Sequence, residues 1–396
     1  MNSLIQHWLD NGIVIPAPES IEVAPDVRPD AIAAGTVLHA GTRIFGATTS
    51  IGPDCEIGRE TPATIEDCQL GANVQLKGGS FSKSVFLDGS AMGSGAHVRE
   101  GTLLEEGAEM AHTVGLKQTL FFPFVVGGSL INFCDALMAG GRSRKEHSEI
   151  GSSFIHFNYT PRGDKATASL FGDVPRGVML NQAPIFLGGQ GGVVGPVHVE
   201  YGTVLAAGNV LRSDVEEPGR LVVPHAPAAI DVPFSAAYRS TRRIFRNGIR
   251  YLANLAALHA WYVAVRHPVL CATPHGAACY EGTLRVLECV RKERVKRLDA
   301  VADALRAPAA DLPPAIAENH ADDLARWTAL RPRFAAFSRN VATAPSADRD
   351  AFLAAFAATP AEASYIDRIR ALAPDARAAG TAWLQSIVDT LSALPA

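Results

Sequence analysis

The sequence lacks a long uninterrupted apolar run, an excess of positive charge and a dense set of cysteines. Its longest apolar stretch, YLANLAALHAWYVAVRHPVL, is interrupted by Asn254, His259 and Arg266 and falls short of the ~18 consecutive apolar residues that indicate a membrane span. A formal net charge of -4 gives no reason to expect a polyanionic partner. We therefore expect neither a membrane span nor a nucleic-acid partner.

The six cysteines are scattered over the 396 residues, which is typical of reduced thiols rather than a disulfide framework. The first residues, MNSLIQHWLDNG, lack the basic segment, apolar core and cleavage site of a secretory signal. Both features predict a cytoplasmic protein. With 47% apolar residues, a chain of this length is long enough to bury the cores of two or three domains.

Apolar residues recur at a strict interval of six within the first half of the chain. The clearest run is Met92, Val98, Leu104, Met110 and Leu116, and a glycine stands three positions after each of the first three. The pattern recurs as IAAGTV LHAGTR and as VEYGTV LAAGNV. Neither an α-helix nor an ordinary strand has this period. It is typical of a triangular parallel β-helix, in which one hexapeptide forms one side and three form a coil.

After about residue 233 the apolar residues recur at helical spacing instead, as in AAYRSTRRIFRNGIRYLANLAALHAWYVAVRH. The fold class that we predict is an all-β, left-handed parallel β-helix followed by an all-α helical domain. The predicted boundaries are an N-terminal segment over residues 1–30, the β-helix over 31–233 and the C-terminal helical domain over 234–396.

Lys117 stands three hexapeptides after Arg99 in the sequence, which is one full coil. We therefore expect the two side chains on the same edge in adjacent coils, roughly 4.8 Å apart. Two cations at this separation repel each other unless an anion lies between them, and a phosphate suits both side chains. Two solvated surface charges would show the same spacing, so the spacing alone leaves both interpretations open.

Three stretches resemble a known family. They are LDNGIVIPAPESIEVAPDVRPDAIAAGTVLHAGTRIFGATTSIGPDCEIG, VREGTLLEEGAEMAHTVGLK, and HSEIGSSFIHFNYTPRGDK with the later GTVLAAGNVLRSDV. They are similar to the acetyltransferase half of the bifunctional enzyme that acetylates glucosamine 1-phosphate and uridylates the product. The resemblance covers about residues 10 to 216, and the helical domain lies outside it.

The resemblance implies a hexapeptide-repeat acyltransferase that uses acetyl-CoA or another acyl-CoA. It implies that Arg99 and Lys117 hold the phosphate of a sugar phosphate or of a nucleotide sugar such as UDP-N-acetylglucosamine. Asn158 and Tyr159 would line the acyl-acceptor and coenzyme A site, with Lys165 in the same stretch as a further substrate-binding residue. The family also implies a homotrimer with its sites between neighbouring subunits.

The sequence departs from this family at several positions. Only the short N-terminal segment precedes the repeats, so we do not expect the family's nucleotidyltransferase domain or uridylyl transfer. Asn132 and Phe133 stand where the family's catalytic histidine is expected, which makes Asn132 a candidate catalytic residue. The family's coenzyme-binding serine and arginine fall at Gly189 and Val223, and Ala207 alone matches that group.

Other histidines are candidates for the base that removes a proton from the attacking amine. His156 and His147 flank the stretch that leads to Asn158, and we rank both above His112. His147 follows the basic loop GGRSRKE, whose Arg142 and Arg144 are candidate substrate-binding residues. A histidine on a strand is also commonly a structural side chain, and the loop is equally compatible with a solvated turn.

Two further stretches give weaker signals. FLGGQGGVVGPV, residues 186 to 197, is the most glycine-dense, but it lacks the Lys-Ser/Thr ending of a phosphate-binding loop. Tight coil corners or a backbone passage beside a ligand explain it better. Cys271, His275 and Cys279 are spaced by four residues, but Pro274 and Gly276 disfavour one continuous helix and no fourth zinc ligand is evident.

The sequence leaves three functions open. We favour a transferase that acylates an amino sugar phosphate or nucleotide sugar from an acyl thioester. The first alternative is a non-catalytic protein that binds a nucleotide sugar or sugar phosphate. The second alternative is a metal-dependent lyase of the carbonic-anhydrase type. We predict no particular residue as a metal ligand.

Overall fold

The computed structural model describes residues 3–225, 227–306, 312–337 and 346–394. The first of these ranges forms a parallel β-solenoid with three faces, and the ranges after residue 240 are helical. The predicted fold class, a left-handed parallel β-helix followed by an all-helical region, is confirmed.

Most coils of the solenoid contribute one short strand to each face. Face 1 is a ten-stranded parallel sheet formed by β2 Val37–Leu38, β5 Glu56–Ile57, β8 Gln75–Leu76, β11 Ala91–Met92, β14 Glu109–Met110, β16 Val126–Gly127, β20 Glu149–Ile150, β23 Phe186–Leu187, β26 Val204–Leu205 and β28 Leu221–Val222. Face 2 contains β1 Glu22–Val23, β3 Arg43–Phe45, β6 Ala63–Glu66, β9 Gly79–Ser82, β12 Ala96–Val98, β21 Ile155–Phe157, β24 Gly192–Val194 and β27 Val210–Leu211. Face 3 contains β4 Ser50–Ile51, β7 Gln69–Leu70, β10 Ser84–Phe86, β13 Thr102–Leu104, β22 Ser169–Phe171 and β25 His198–Val199.

Two longer strands bend from face 2 into face 3. They are β15 Gly115–Phe121 and β17 Asn132–Met138, and they pair with each other along most of their length. A short antiparallel hairpin, β18 Gly141–Ser143 with β19 Glu146–His147, lies after β17 on the way to face 1. We call the three edges of the solenoid the 1/2, 2/3 and 3/1 corners after the faces that meet there.

The six-residue period has a direct structural cause. The repeat residue Leu116 pairs with Val98 in face 2, and Met110 pairs with Met92 in face 1. All four side chains are buried, so identical positions of successive coils stack inside the solenoid and exclude water. The N-terminal helix α1, Ser3–Asp10, covers the first coil with its buried Trp8, whose Nε1 donates to Pro29 O at 3.0 Å.

The helices of the C-terminal region cover face 3. These helices are α3 Arg242–Trp261, α4 His267–Leu270, α5 Pro274–Arg306, α6 Pro314–Leu330, α7 Ala347–Ala357, α8 Tyr365–Ala371 and α9 Pro374–Ser392. A π-helical turn, Tyr262–Arg266, follows α3, and the short helix α2, Val174–Gly177, lies within the solenoid. Helix α5 packs on β4, β7, β10 and β13 of face 3. Gly282 permits this close approach, because a Cβ there would lie 2.1 Å from Gln69 Oε1 and 2.9 Å from Val85 Cγ2. Within the described residues, no helix is both long and apolar enough to cross a bilayer.

A buried charged cluster joins the helices to face 3. Arg266 has no solvent exposure and pairs with Glu106, while its guanidinium lies 3.7 Å from the centre of the Tyr365 ring. The Tyr262 hydroxyl donates to Glu105, which is also buried. Burial raises the pKa of Glu105 to about 7, although the positive charge of Arg266 acts in the opposite direction. The join between the two regions therefore contains a carboxyl group that the fold prefers to keep neutral.

We predict that Glu105→Gln changes how stability depends on pH. A carboxyl group whose pKa is raised by folding contributes its full stability below its unfolded pKa, and this contribution is lost as the pH rises through about 7. The glutamine variant should therefore gain stability relative to the wild type between pH 5 and pH 8, by up to a few kcal/mol. Thermal midpoints of both proteins across this range measure the effect. Glu217→Gln, at a side chain that is 75% exposed, is the control, and parallel curves for the wild type and Glu105→Gln would contradict the prediction.

Candidate functional site

The 2/3 corner is built from residues in a left-handed backbone conformation. Asp67, Lys83, Gln118 and Asp135 have φ values of 50°, 48°, 54° and 59° and occupy this corner in four coils. A single left-handed residue lets the chain turn sharply between two strands. The next coil breaks this pattern, since residues 158–168 are too many for one turn and instead form a loop between β21 and β22.

Arg99 and Lys117 lie in adjacent coils on face 2, as their spacing in the sequence predicts. Val98 pairs with Leu116, and the Arg99 amide donates to Leu116 O at 2.9 Å. Both side chains follow a buried residue and point outward. The next coil places Cys134 beside Lys117, and Arg99 Nη2 lies 3.9 Å from Cys134 Sγ. The two cations thus form a pair at the face 2 side of the 2/3 corner, and we call them the anion pair.

Glu100 occupies part of the space that an anion would take. Its carboxylate lies 2.7 Å from Lys117 Nζ. Partial burial opposes ionisation of Glu100, but the hydrogen bond and charge of Lys117 outweigh it and lower the pKa of the carboxyl group. A phosphate bound by Lys117 must therefore displace or share this carboxylate. Arg99, in contrast, is exposed and makes no ion pair within the described ranges.

Asn158 is held at the same corner, two coils beyond Lys117. Its Nδ2 donates to Asp135 Oδ2 at 2.7 Å, and the other oxygen of Asp135 accepts from Arg294 Nη2 at 2.7 Å. Arg294 belongs to helix α5 and is buried. The C-terminal helices therefore help to fix the position of Asn158 through Asp135. Neither partner was predicted from the sequence: a strict six-residue repeat would place Asp135 beside Lys117, but this coil is one residue shorter and Cys134 takes that place. Nothing in the sequence connects Arg294 to this corner.

His156 points into the interior of the solenoid rather than toward a ligand. It is 3% exposed, and its ring packs against Phe133 at a centroid distance of 5.6 Å. Asn158 Nδ2 donates to Asp135, so the amide oxygen Oδ1 faces His156 and accepts from His156 Nδ1 at 3.1 Å. His156 Nε2 accepts from Ser169 Oγ at 2.7 Å. Burial lowers the pKa of His156, which the hydrogen bond with Asn158 only partly opposes. A substrate amine can reach neither nitrogen unless Asn158 or Ser169 moves.

The other predicted base and loop residues lie at the two other corners. The β18–β19 hairpin that carries Arg142, Arg144 and His147 is at the 3/1 corner, not at the 2/3 corner. Arg144 Nη2 contacts Glu109 Oε2 at 2.6 Å, and His147 Nδ1 lies 2.8 Å from Arg144 O. His112 lies at the 1/2 corner, where its Nδ1 is 2.8 Å from Ser129 Oγ. The structure therefore does not bring these groups to the anion pair.

Tyr159 and Lys165 are in the loop of the 2/3 corner. Tyr159 is 61% exposed and lines a cavity of about 670 Å³ together with parts of the segment 230–240, which precedes α3, and with the first turn of α3. Lys165 is exposed and has a φ of 58°. Both residues are near Asn158 in the chain.

Gly189 and Ala207 lie in successive coils at the 1/2 corner, on the opposite edge of face 2 from the anion pair. Val223, which stands where the family has an arginine, is exposed just after β28. Close packing explains the glycines here, because a Cβ on Gly188 would lie 2.4 Å from Ala207 N. The glycine-rich stretch thus forms tight coil corners. Gly189 and Ala207 offer a coenzyme mainly backbone groups, and one chain does not place them beside Arg99.

A cavity of about 390 Å³ lies between the 2/3 corner and helix α5. Its walls include Lys83 and Glu100 of the corner and Arg285 and Cys289 of the helix. Gln118 Nε2 donates to Cys289 Sγ at 3.3 Å beside it. Because Glu100 also contacts Lys117, a ligand held by the anion pair has this cavity next to it, with cations and carboxylates on its walls.

The three residues with zinc-like spacing do not form a metal site. His275 and Cys279 lie on α5, where Cys279 is buried and His275 Nδ1 is 3.0 Å from Ser50 Oγ. Cys271 precedes this helix. Over the part of the chain that the structure describes, no three His, Cys, Asp or Glu side chains are arranged to hold a metal ion.

Comparison with known proteins agrees with this geometry over the solenoid. No family model matches the chain. The bifunctional protein GlmU of Thermotoga petrophila is 28% identical over 214 residues, which cover 53% of this chain and 42% of that protein. GlmU of Mycolicibacterium smegmatis is 30% identical over 239 residues, covering 59% of this chain and 44% of that protein. The chain therefore spans less than half the length of these curated relatives. Over about half of its length, this chain is a hexapeptide-repeat β-helix homologous to the bifunctional GlmU proteins.

Proposed function

We propose that this protein transfers an acyl group from an acyl-CoA to the amine of an amino sugar phosphate. The observation that carries the proposal is the placement of Arg99 and Lys117 side by side on the open surface of face 2, with Asn158 held at the adjoining corner. The homology to GlmU extends over 214 residues of this chain, and the coarser conclusion, a transferase of the hexapeptide-repeat type, is supported by fold and homology together.

The residues of the site have separate tasks in this proposal. Arg99 offers a planar pair of donors to phosphate oxygens, and Lys117 adds a point charge. Asn158 is kept in one orientation by Asp135 and Arg294, so its amide is ordered before a substrate binds, which lowers the entropic cost of binding. An acyl-CoA would supply the activated carbonyl. Tyr159 and Lys165 remain proposed substrate-binding residues from the same loop.

We further infer that complete sites form between neighbouring chains of a homotrimer. One chain places Gly189 and Ala207 at the 1/2 corner and the anion pair near the 2/3 corner, so a second chain is needed to bring coenzyme and acceptor residues together. Face 3 is already covered by α5. Neighbouring solenoids must therefore meet through the remaining faces or corners.

A non-catalytic binding protein is the second candidate. It is favoured by the internal, doubly hydrogen-bonded position of His156 and by the absence of the family's histidine at Asn132. The cavity of about 390 Å³ beside the anion pair gives a nucleotide sugar more room than a sugar phosphate needs. Release of free thiol from acetyl-CoA in the presence of an acceptor separates the two candidates.

We predict that removal of either cation weakens binding of a phosphorylated ligand. Arg99→Ala should cost roughly 1.5 to 3 kcal/mol of binding free energy for glucosamine 1-phosphate, the scale of a charge-assisted hydrogen bond. Lys117→Ala should cost less, because a point charge is lost rather than a bidentate fork and Lys117 already shares its charge with Glu100. Isothermal titration measures both.

Arg43→Ala is the matched control, since Arg43 is exposed on face 2 in β3, three strands away from β12, which Arg99 follows directly. Its removal should leave the affinity unchanged. Unchanged affinity in the Arg99 and Lys117 variants as well would show that these two residues are only solvated surface charges.

The proposed trimer makes a second prediction. Sedimentation equilibrium at micromolar concentration should give three times the chain mass of 41.9 kDa. Mixing Arg99→Ala protein with a variant altered at the 1/2 corner, Ala207→Trp, should restore part of the activity if each site uses residues of two chains. A monomer over the whole concentration range would refute the assembly.

A further inference from the structure

An exposed imidazole lies beside the anion pair on the outer surface of face 2. His97 is in β12, two residues before Arg99, and residues two apart on a strand point to the same side. The flanking residues Ala96 and Val98 are buried, whereas His97 is exposed. Its ring makes no hydrogen bond or ion pair with any of the residues that the structure describes. His97 was not predicted from the sequence, although its position two residues before Arg99 in a strand places it on the same surface.

The next coil leaves an open notch beside this imidazole. His97 pairs with Gly115, and Gly115 in turn pairs with Asn132. A Cβ on Gly115 would meet nothing closer than Ile131 O at 3.9 Å and Asn132 Oδ1 at 4.0 Å. Packing therefore does not require glycine here, in contrast to Gly188, and the missing side chain leaves free space between His97 and Asn132, whose backbones are about 10 Å apart.

Asn132 closes the far side of this notch. It is exposed, and its Oδ1 accepts from Cys134 Sγ at 3.3 Å. Oδ1 is also the Asn132 atom nearest to the Gly115 Cβ position, so the amide oxygen borders the notch. Arg99 follows His97 by two residues, and Lys117 follows Gly115 by two residues. The notch and the anion pair are therefore about 7 Å apart along the strand direction.

We propose that His97 is the general base of the acyl transfer and that the acceptor amine lies over Gly115, between His97 and Asn132. This inference rests on the proposed function. In a 2-amino sugar 1-phosphate the amine and the phosphate are on neighbouring ring carbons. One ligand can therefore contact the anion pair with its phosphate and His97 with its amine.

The step balances without any further reagent. The amine nitrogen forms a bond to the thioester carbonyl carbon, and the carbon–sulfur bond breaks with its electron pair leaving on sulfur. His97 accepts the proton lost by the nitrogen and returns it to the thiolate. The products are the amide and free coenzyme A.

The test of the base uses His97→Asn in the full-length protein, with glucosamine 1-phosphate, acetyl-CoA and a free-thiol assay. We expect kcat to fall by roughly 10²- to 10⁴-fold, the usual contribution of a general base, with KM for the sugar phosphate changed by less than about 3-fold. The rise of kcat/KM with pH that the base produces should disappear in the variant. His7→Asn, on the exposed part of α1, is the matched control and should keep wild-type kinetics.

The test of the notch uses Gly115→Val. The new side chain fits the strand, because the nearest atoms to its Cβ are 3.9 Å away and β-branched residues favour strands. We expect an unchanged thermal midpoint and at least a tenfold weaker affinity for glucosamine 1-phosphate. Affinity for inorganic phosphate should be unchanged, since Arg99 and Lys117 are intact. Equal affinity of the valine variant and the wild type for the sugar phosphate would overturn the notch as the amine site.

The outcomes separate this inference from the proposed function. Turnover by the wild type together with an unchanged rate and pH profile of His97→Asn would overturn the role of His97 and leave acyl transfer standing. Absence of turnover in the wild type, with binding that still depends on Arg99, would overturn acyl transfer and the base together. If the wild type turns over and His97→Asn loses both the rate and the rise of kcat/KM with pH, the result supports acyl transfer and the role of His97.

Discussion

The hydrogen bonds between successive coils are the constraint on which the rest of this structure depends. Most coils add one strand to each face, and these strands pair in register with those of the coil before, as Leu116 does with Val98. Residues one coil apart in the chain are therefore neighbours at about the spacing of two adjacent strands. This is why two cations three hexapeptides apart become a pair, and why His97, Gly115 and Asn132 form one row across face 2.

The 2/3 corner brings together features from three distant parts of the sequence. A left-handed residue turns the chain in most coils, and Asp135 is the one that also makes polar contacts on two sides. Asn158 approaches it from an inserted loop and Arg294 approaches it from helix α5. A buried carboxylate needs such partners, because an unpaired charge in the interior is costly. The pairing links the position of Asn158 to correct docking of the helices.

The helices also determine which faces of the solenoid remain accessible to a ligand. Face 3 is covered by α5, through the close contact at Gly282 and the buried cluster of Arg266, Glu105 and Glu106. Face 2 stays open and carries the polar row and the anion pair. The same helix forms one wall of the cavity beside Lys83 and Glu100. The C-terminal region thus stabilises one face and shapes the edge of the other.

The sequence by itself determined the solenoid, because buried residues at every sixth position have to stack inside the coils. It also determined the adjacency of Arg99 and Lys117, because three hexapeptides complete one coil. The change to helical spacing after about residue 233 was equally direct. The alternation along β12 also places His97 on the same outer surface as Arg99.

The tertiary structure decided which of the predicted groups meet. It placed the loop of Arg142, Arg144 and His147 at the 3/1 corner and turned His156 into the interior. It also brought Arg294 to Asp135 across 159 residues of chain. A repeat fixes neighbours within the solenoid, but the direction of an insertion and the docking of a separate helix depend on side-chain packing between distant segments, which has no period in the sequence.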